Sequence, residues 1–373
     1  MARNQAGRGF YAANDERRDS NLSDPWAFQR SNFQCTGWRG DCLGPFQVLA
    51  NDVHRRTPYV YQWLFNIQRQ LAENIGLEIG YQGNAGHKLE RQRNYNQAIL
   101  KTGPGDARSI PQRRPWPVHD RLQIVDGSVN SNYNALSLKL QQRFSKGLTY
   151  LVGYTWSKSI DSGSAIRTNS GDNLWPVNSY DLRAERGLSQ FHVGQRFVAS
   201  TLYELPFGQG KPYWSDSSVL EKVFGGWQIG GIITLSEGAP TNVGSIGDSF
   251  AVGGLGNRPH ATGVSPFPDT PTVSGFWNID AFDTRNPNLS WLAGNAGRNT
   301  LIRPGTIQTD LSLARNIRIR EGHQLQFRFE AFNAFNHPNW NSPSTDARNA
   351  NTFGKITSAR TMRELQFGLK YVF

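Results

Sequence analysis

Within the last eleven residues of the chain, Arg363 to Phe373, an apolar side chain stands at every second position from Leu365 to Phe373. A β-strand turns successive side chains to opposite faces, so this spacing predicts a strand with one apolar face and one polar face. The apolar face carries Leu365, Phe367, Leu369, Tyr371 and Phe373. Such a strand fits either the edge of a soluble sheet or a sheet with lipid on one side and water on the other.

Eight further segments alternate in the same way, which favours the sheet with lipid on one side. Most are about 9 to 13 residues long, which is enough for a strand tilted by about 45° to cross a bilayer. Strands of soluble proteins are typically about 5 to 6 residues long. The eight segments are residues 59–71, 77–86, 133–144, 148–160, 196–205, 226–237, 306–319 and 324–336.

The connections between the nine predicted strands alternate between shorter and longer. Residues 87–132, 161–195, 238–305 and 337–362 form the longer set. Transmembrane barrels have short periplasmic turns and long loops outside the cell. The sequence therefore predicts an all-β fold, namely an incomplete antiparallel transmembrane β-barrel of about nine strands with long extracellular loops, located in the cell outer membrane.

Composition agrees with a membrane barrel and disfavours a helical membrane protein. No apolar run approaches the roughly 18 residues that a transmembrane helix needs, and the mean hydropathy is −0.56. The net charge is +11, from 40 Lys and Arg against 29 Asp and Glu. These basic residues are scattered, without a basic helix or zinc spacing, so we predict no nucleic-acid partner. They fit anionic lipopolysaccharide outside, an anionic ligand inside, or simply a solvated surface.

The sequence predicts no enzyme, no cofactor and no metal site. Its seven histidines lie singly, and no nucleophile elbow or phosphate-binding loop occurs. His192, which follows Ser189 closely, is the only candidate for a catalytic pair.

Two cysteines occur, Cys35 and Cys42. Strand parity places residues 1–58 outside the cell, where disulfides form. We predict a local disulfide between them, with free thiols as the alternative.

Three stretches carry a resemblance to a known family. They are Asn132 to Leu136 leading into Tyr154 to Ile160, then Gln195 to Gly208, and Phe327 to Pro338. As a set they resemble the C-terminal part of TonB-dependent outer-membrane receptors, in particular the Oar-like branch. The resemblance covers roughly residues 59–373, and the last stretch looks like the family's penultimate strand, which ends outside the cell in a Phe-Asn-x-Phe-Asn motif.

The resemblance implies a Gram-negative outer-membrane receptor with a barrel of about 22 strands. In that family, the strand ending at the C-terminal Phe is the signal read by the barrel assembly machinery, and a plug domain contacts the TonB complex. We expect residues 59–373 to be the C-terminal part of such a barrel, a fragment lacking the plug. Its two open edges would be costly in lipid, so we expect no transport by residues 1–373 alone.

The resemblance also implies import of a large ligand, such as a carbohydrate or a metal chelate, captured by the extracellular loops. Five aromatic residues of these loops are candidates for stacking against the unknown ligand: Trp116, Trp175, Tyr180, Trp277 and Trp291. The alternative is that they pack within the loops. The alternative function is a structural or adhesion protein of the Oar type without transport.

Overall fold

The computed structural model describes residues 10–12, 46–117, 119–165, 175–208, 210–214, 219, 223–244, 252–253, 257–284, 289 and 292–373. Nearly all regular structure in these residues is β-strand, which confirms the predicted fold class. The strands are β1 (Phe10–Ala12), β2 (Phe46–Asn51), β3 (Tyr59–Ala72), β4 (Ile75–Asn94), β5 (Leu122–Ser145), β6 (Leu148–Asp161), β7 (Gly187–Leu188), β8 (Gln195–Glu204), β9 (Trp227–Ser236), β10 (Pro240–Thr241), β11 (His260–Ala261), β12 (Phe282–Asp283), β13 (Leu301–Ile302), β14 (Thr306–Arg320), β15 (His323–Phe332) and β16 (Glu364–Val372). The described residues include the α-helix Ile110–Arg113 and two 3₁₀ turns, Arg183–Glu185 and Ile279–Ala281.

Nine long strands form one antiparallel sheet. Their order is β3-β4-β5-β6-β8-β9-β14-β15-β16, so each long strand pairs with the next long strand in the chain. Within the described residues, β3 and β16 do not pair with each other, so the sheet is not closed. This up-and-down order is that of a partial barrel.

The strand register aligns the apolar residues of successive strands on one face. One row crosses the sheet from β3 to β14 through directly opposed pairs: Ile67, Ile79, Leu138, Tyr154, Phe197, Leu235 and Ile307. On the opposite face, the Lys139 ammonium lies 3.8 Å from the Glu78 carboxylate. Because side chains alternate across a strand, the register gives the whole sheet one lipid-compatible face and one polar face.

Short turns join the strands at one end of the sheet. β5 and β6 meet at Lys146-Gly147, where both residues have positive φ, 51° and 84°. That pair of angles is typical of a tight type I′ hairpin, whose twist matches that of the flanking strands. A side chain at Gly147 would also collide with the Glu204 carbonyl oxygen, 2.8 Å from the position of its Cβ.

The long connection between β4 and β5 is shorter than predicted. We expected a loop over residues 87–132, but β4 runs to Asn94 and β5 begins at Leu122. The apolar alternation stops earlier than the backbone pairing, because strand ends that project into water need no lipid-facing side chains. β2 lies parallel to this extension, with Asn51 opposite Val125.

Asparagines of the Phe-Asn-Ala-Phe-Asn motif turn the chain where β15 ends. Asn333 and Asn336 both have positive φ, 48° and 55°, a conformation that asparagine tolerates better than most residues. The Asn333 side chain accepts a hydrogen bond from the His337 amide and donates one to its carbonyl, both 2.9 Å. The motif therefore ends the strand and starts the return toward β16.

Candidate functional site

The long connections pack together at the end of the sheet opposite the short turns. We call the described residues of 95–121, 175–194, 237–305 and 333–363 the loop cap. It has its own hydrophobic core, formed by buried residues of the last two connections: Val243, Trp277, Ala296, Leu301, Ala347 and Phe353. The cap is therefore a packed structure rather than a set of separate loops.

A buried carboxylate joins the middle connections of the cap. The two terminal guanidinium nitrogens of Arg258 donate to Glu185, each at 3.0 Å, and both side chains are fully buried. The Val177 amide also donates to this carboxylate at 3.0 Å, and Arg91 of β4 lies 3.7 Å from it. This paired arrangement satisfies a charge that would be costly to bury alone.

A second buried pair fixes the cap to the end of β6. The Arg298 guanidinium forms an ion pair with Asp161 and also donates to the Asp161 carbonyl at 2.7 Å. Its Nε donates to the Glu185 carbonyl at 2.7 Å. The two buried pairs thus meet at Glu185 and link β6 with two connections far apart in the chain.

Two adjacent amide side chains hold the first two connections, because Gln97 bonds to the second connection and Asn96 bonds within the first. Gln97 donates to the Val177 carbonyl at 3.0 Å and accepts from the Ser179 amide at 2.7 Å. Asn96 donates to the Trp116 carbonyl at 2.9 Å and accepts from the Trp116 amide at 2.9 Å. Both amides are buried, so their hydrogen bonds hold the cap in one arrangement.

The structure places the five aromatic candidates differently. Trp116 and Tyr180 are about half exposed, 49% and 50%, and both contact the Asn96-Gln97 segment. Burial raises the pKa of the Tyr180 phenol, whose hydroxyl donates to the Gln97 carbonyl. Trp175 is partly buried. Trp277 is 2% exposed and packs against Phe353, which is the arrangement expected if this ring packs within the loops. Trp291 lies outside the described residues.

The residues around His192 form a hydrogen-bonded cluster. The Ser159 and Ser189 hydroxyls bond to each other at 2.7 Å, and both serines are buried. The His192 Nδ1 accepts from the Ser159 amide at 3.2 Å, which leaves it no lone pair for a serine hydroxyl. Burial lowers the pKa of His192 below its usual value.

The C-terminal strand presents its apolar residues on one face, opposite those of β15. Leu365, Phe367, Leu369 and Tyr371 lie beside Ala331, Phe329, Phe327 and Leu325. The rings of Phe367 and Phe329 are 4.9 Å apart. Phe373 follows the strand and is 88% exposed.

The remaining predictions concern the cysteines, metal binding and membrane-spanning helices. Cys35 and Cys42 lie outside the described residues. Among the residues that the structure describes, no cluster of His, Cys, Asp and Glu has the geometry of a metal site. In the same residues, no helix has the length and apolar character required to cross a membrane.

The sequence model of the outer membrane beta barrel domain matches residues 11–366. The chain belongs to this family. The barrel domain therefore lies in the outer membrane, as predicted, with one face of its sheet toward lipid. No curated protein matches the sequence.

Three solved structures resemble the barrel domain at low sequence identity. The outer membrane transporter YddB from Escherichia coli is 10% identical, with a TM-score of 0.44, over 88% of this chain and 34% of that protein. The FrpB iron transporter from Neisseria meningitidis is 12% identical, with a TM-score of 0.40, over 88% and 33%. The ferric preacinetobactin receptor BauA from Acinetobacter baumannii is 9% identical, with a TM-score of 0.40, over 84% and 29%. The barrel domain spans about a third of the length of these proteins.

The buried ion pairs of the cap were not predicted from sequence. The sequence around these charged residues is polar and typical of loops, so they look like solvated charges: Glu185, Arg258 and Arg298. No local signal marks them, since their partners are up to 137 residues away.

Proposed function

We propose that the barrel domain is the C-terminal part of a TonB-dependent outer-membrane receptor of the Oar-like branch. In this proposal the loop cap captures a large ligand, such as a carbohydrate or a metal chelate, and the complete barrel imports it. TonB acts through a plug domain supplied by the rest of the receptor. The packed loop cap carries the proposal, because a capture surface must be held in one arrangement to bind selectively.

The half-exposed rings of Trp116 and Tyr180 support the capture role. The Tyr180 hydroxyl donates to the Gln97 carbonyl and so holds the Tyr180 ring in place, while the Asn96 side chain holds the backbone of Trp116. Aromatic faces held in this way suit sugar rings and aromatic chelators. The excess of basic residues adds attraction for anionic ligands.

Binding and uptake by the complete receptor test this proposal. Cells carrying the natural full-length gene would be offered labelled oligosaccharides and ferric chelates, with and without a functional TonB. We expect TonB-dependent uptake of one class, and weaker binding in Trp116→Ala and Tyr180→Ala. Trp214→Ala, at an exposed tryptophan of the β8–β9 connection, is the matched control. Binding without uptake would favour the adhesion alternative.

We also propose that the barrel domain has no enzymatic activity. The buried serines of the Ser159-Ser189 pair bond to each other, and His192 is occupied by the Ser159 amide. Incubation of the purified protein with a fluorophosphonate serine probe should give no labelling. Stoichiometric labelling at Ser189 would overturn this proposal.

The strand that ends at Phe373 supports recognition by the barrel assembly machinery. Its apolar residues already lie on the lipid-compatible face, and its outer edge is unpaired in the described residues. Removing Phe373 should reduce insertion of the full receptor into the outer membrane, measured in membrane fractions, whereas Val372→Ala should not.

A further inference from the structure

A groove of about 760 Å³ lies where the apolar face of the sheet meets the loop cap. Its floor is one row of residues on four adjacent strands: Tyr154, Phe197, Leu235 and Ile307. Phe276 and Trp340 of the cap form its wall. The size is typical of a site for one small molecule or lipid segment.

The position of the groove along the strands places it at the level of the outer leaflet of the membrane. Its floor belongs to the lipid-facing row, and β9 ends one residue beyond Leu235, at Ser236. The side with the long loops faces outside the cell in barrels of this kind. The groove therefore opens at the level of the outer-leaflet head groups, on the lipid side of the barrel and away from its interior.

Two arginines place positive charge at the upper edge of the groove. Arg303 lines it and donates to the Ala239 and Pro240 carbonyls at 3.1 and 3.2 Å. Arg360 donates to the Thr306 hydroxyl at 3.1 Å, and Thr306 also lines the groove. Among the described ion pairs, neither guanidinium has a carboxylate partner.

The charges around the groove leave a positive excess. Burial and, after it, the neighbouring Arg360 hold the pKa of Arg303 below its usual range. Arg196 and Glu237 also line the groove and carry opposite charges. An anion between Arg303 and Arg360 would relieve the repulsion and complete their hydrogen bonding.

We propose that this groove binds a phosphorylated, acylated glycolipid of the outer leaflet. An acyl chain lies on the four-strand floor against Phe276 and Trp340, and a phosphate sits between Arg303 and Arg360. An apolar floor with two guanidiniums at one end, neither with a carboxylate partner among the described ion pairs, matches an amphiphile that has hydrocarbon at one end and an anion at the other. The site is separate from the ligand-capture surface of the cap.

Lipid binding to the full-length receptor tests the proposal. The protein, extracted in mild detergent and stripped of lipid, is titrated with bisphosphorylated lipid A, dephosphorylated lipid A and phosphatidylglycerol, and complexes are counted by native mass spectrometry. We expect bisphosphorylated lipid A to bind at least roughly tenfold more tightly than dephosphorylated lipid A, the size of one lost charge-assisted hydrogen bond. Equally tight binding of phosphatidylglycerol would show that any phosphorylated acyl lipid fits the groove and would overturn the glycolipid assignment.

Variants at the exposed Arg360 distinguish lipid binding at a specific site from general electrostatic attraction between the protein and an anionic lipid. Arg360→Gln should weaken lipid A binding roughly tenfold, and Arg360→Lys should restore most of it. Arg183→Gln, at a 91% exposed side chain elsewhere in the cap, is the matched control and should leave binding unchanged. Equal binding of all three lipids, or equal effects of Arg360→Gln and Arg183→Gln, would overturn the proposal.

Discussion

Replacing Glu185 by glutamine tests whether the loop cap is held by its buried charges. Glutamine keeps the shape of the side chain but removes the negative charge that accepts both nitrogens of Arg258. The Arg258 guanidinium has no exposed surface, so water cannot compensate for the lost carboxylate.

The expected cost follows from that burial. Removing one partner of a buried ion pair costs about 3 to 5 kcal/mol. That free energy raises the opening equilibrium of the cap by about a hundredfold to a few thousandfold. Among the described hydrogen bonds and ion pairs of the Glu185 carboxylate, the pair with Arg91 in β4 is the one that involves a strand. We therefore expect the amides of the sheet itself to stay protected from exchange.

Hydrogen exchange followed by mass spectrometry measures this opening in the full-length receptor. Amides of residues 175–188 and 257–260 should lose protection in Glu185→Gln, while those of β8 and β9 keep it. Asp181→Asn is the control, because its exposed pair with Arg183 is screened by water. Protection in Glu185→Gln that matches the control would show that the buried pair does not hold the cap.

Three further predictions concern the lipid face, the cysteines and pH. Leu138→Arg should destabilise the inserted barrel by about 2 to 4 kcal/mol, whereas Lys139→Arg should be nearly neutral, because the two side chains lie on opposite faces. Spin labels at positions 138 and 139 that report equal accessibility to lipid would contradict this prediction. Thiol labelling of denatured, unreduced protein should find no free Cys35 or Cys42 if they are bridged, and full labelling would exclude the bridge. Burial keeps the pKa of the His192 imidazole below its ordinary value of 6.5, so the folded cap binds fewer protons there than the open one. Its contribution to stability is therefore present above about pH 6.5 and lost as the pH falls toward the folded pKa. Protection factors around residues 189–194, which correct for the intrinsic pH dependence of exchange, should thus fall between pH 7 and 5, and His192→Asn should remove this fall.

Alternation of side chains was enough to predict the sheet. The spacing in the last eleven residues and in the eight earlier segments predicted nine long strands, their order and their two faces. This information is local, because a period of two along a strand fixes which side chains share a face. Strand ends were less well predicted, since β4 and β5 continue beyond the residues that alternate.

The candidate site depended on contacts that no local pattern encodes. Trp116 and Trp277 look alike in sequence, yet one ring is half exposed and the other lies in the core of the cap. Glu185 meets Arg258 across 73 residues, and the groove appears only where loops reach the top of the lipid-facing row.

The sequence by itself therefore determined the membrane-spanning sheet, because burial in lipid imposes a two-residue period on every strand. The tertiary structure decided the arrangement of the cap, since loops in water carry no such period. Their positions follow from a few long-range ion pairs and from the packing around Trp277, which exist only once the strands have brought the connections together.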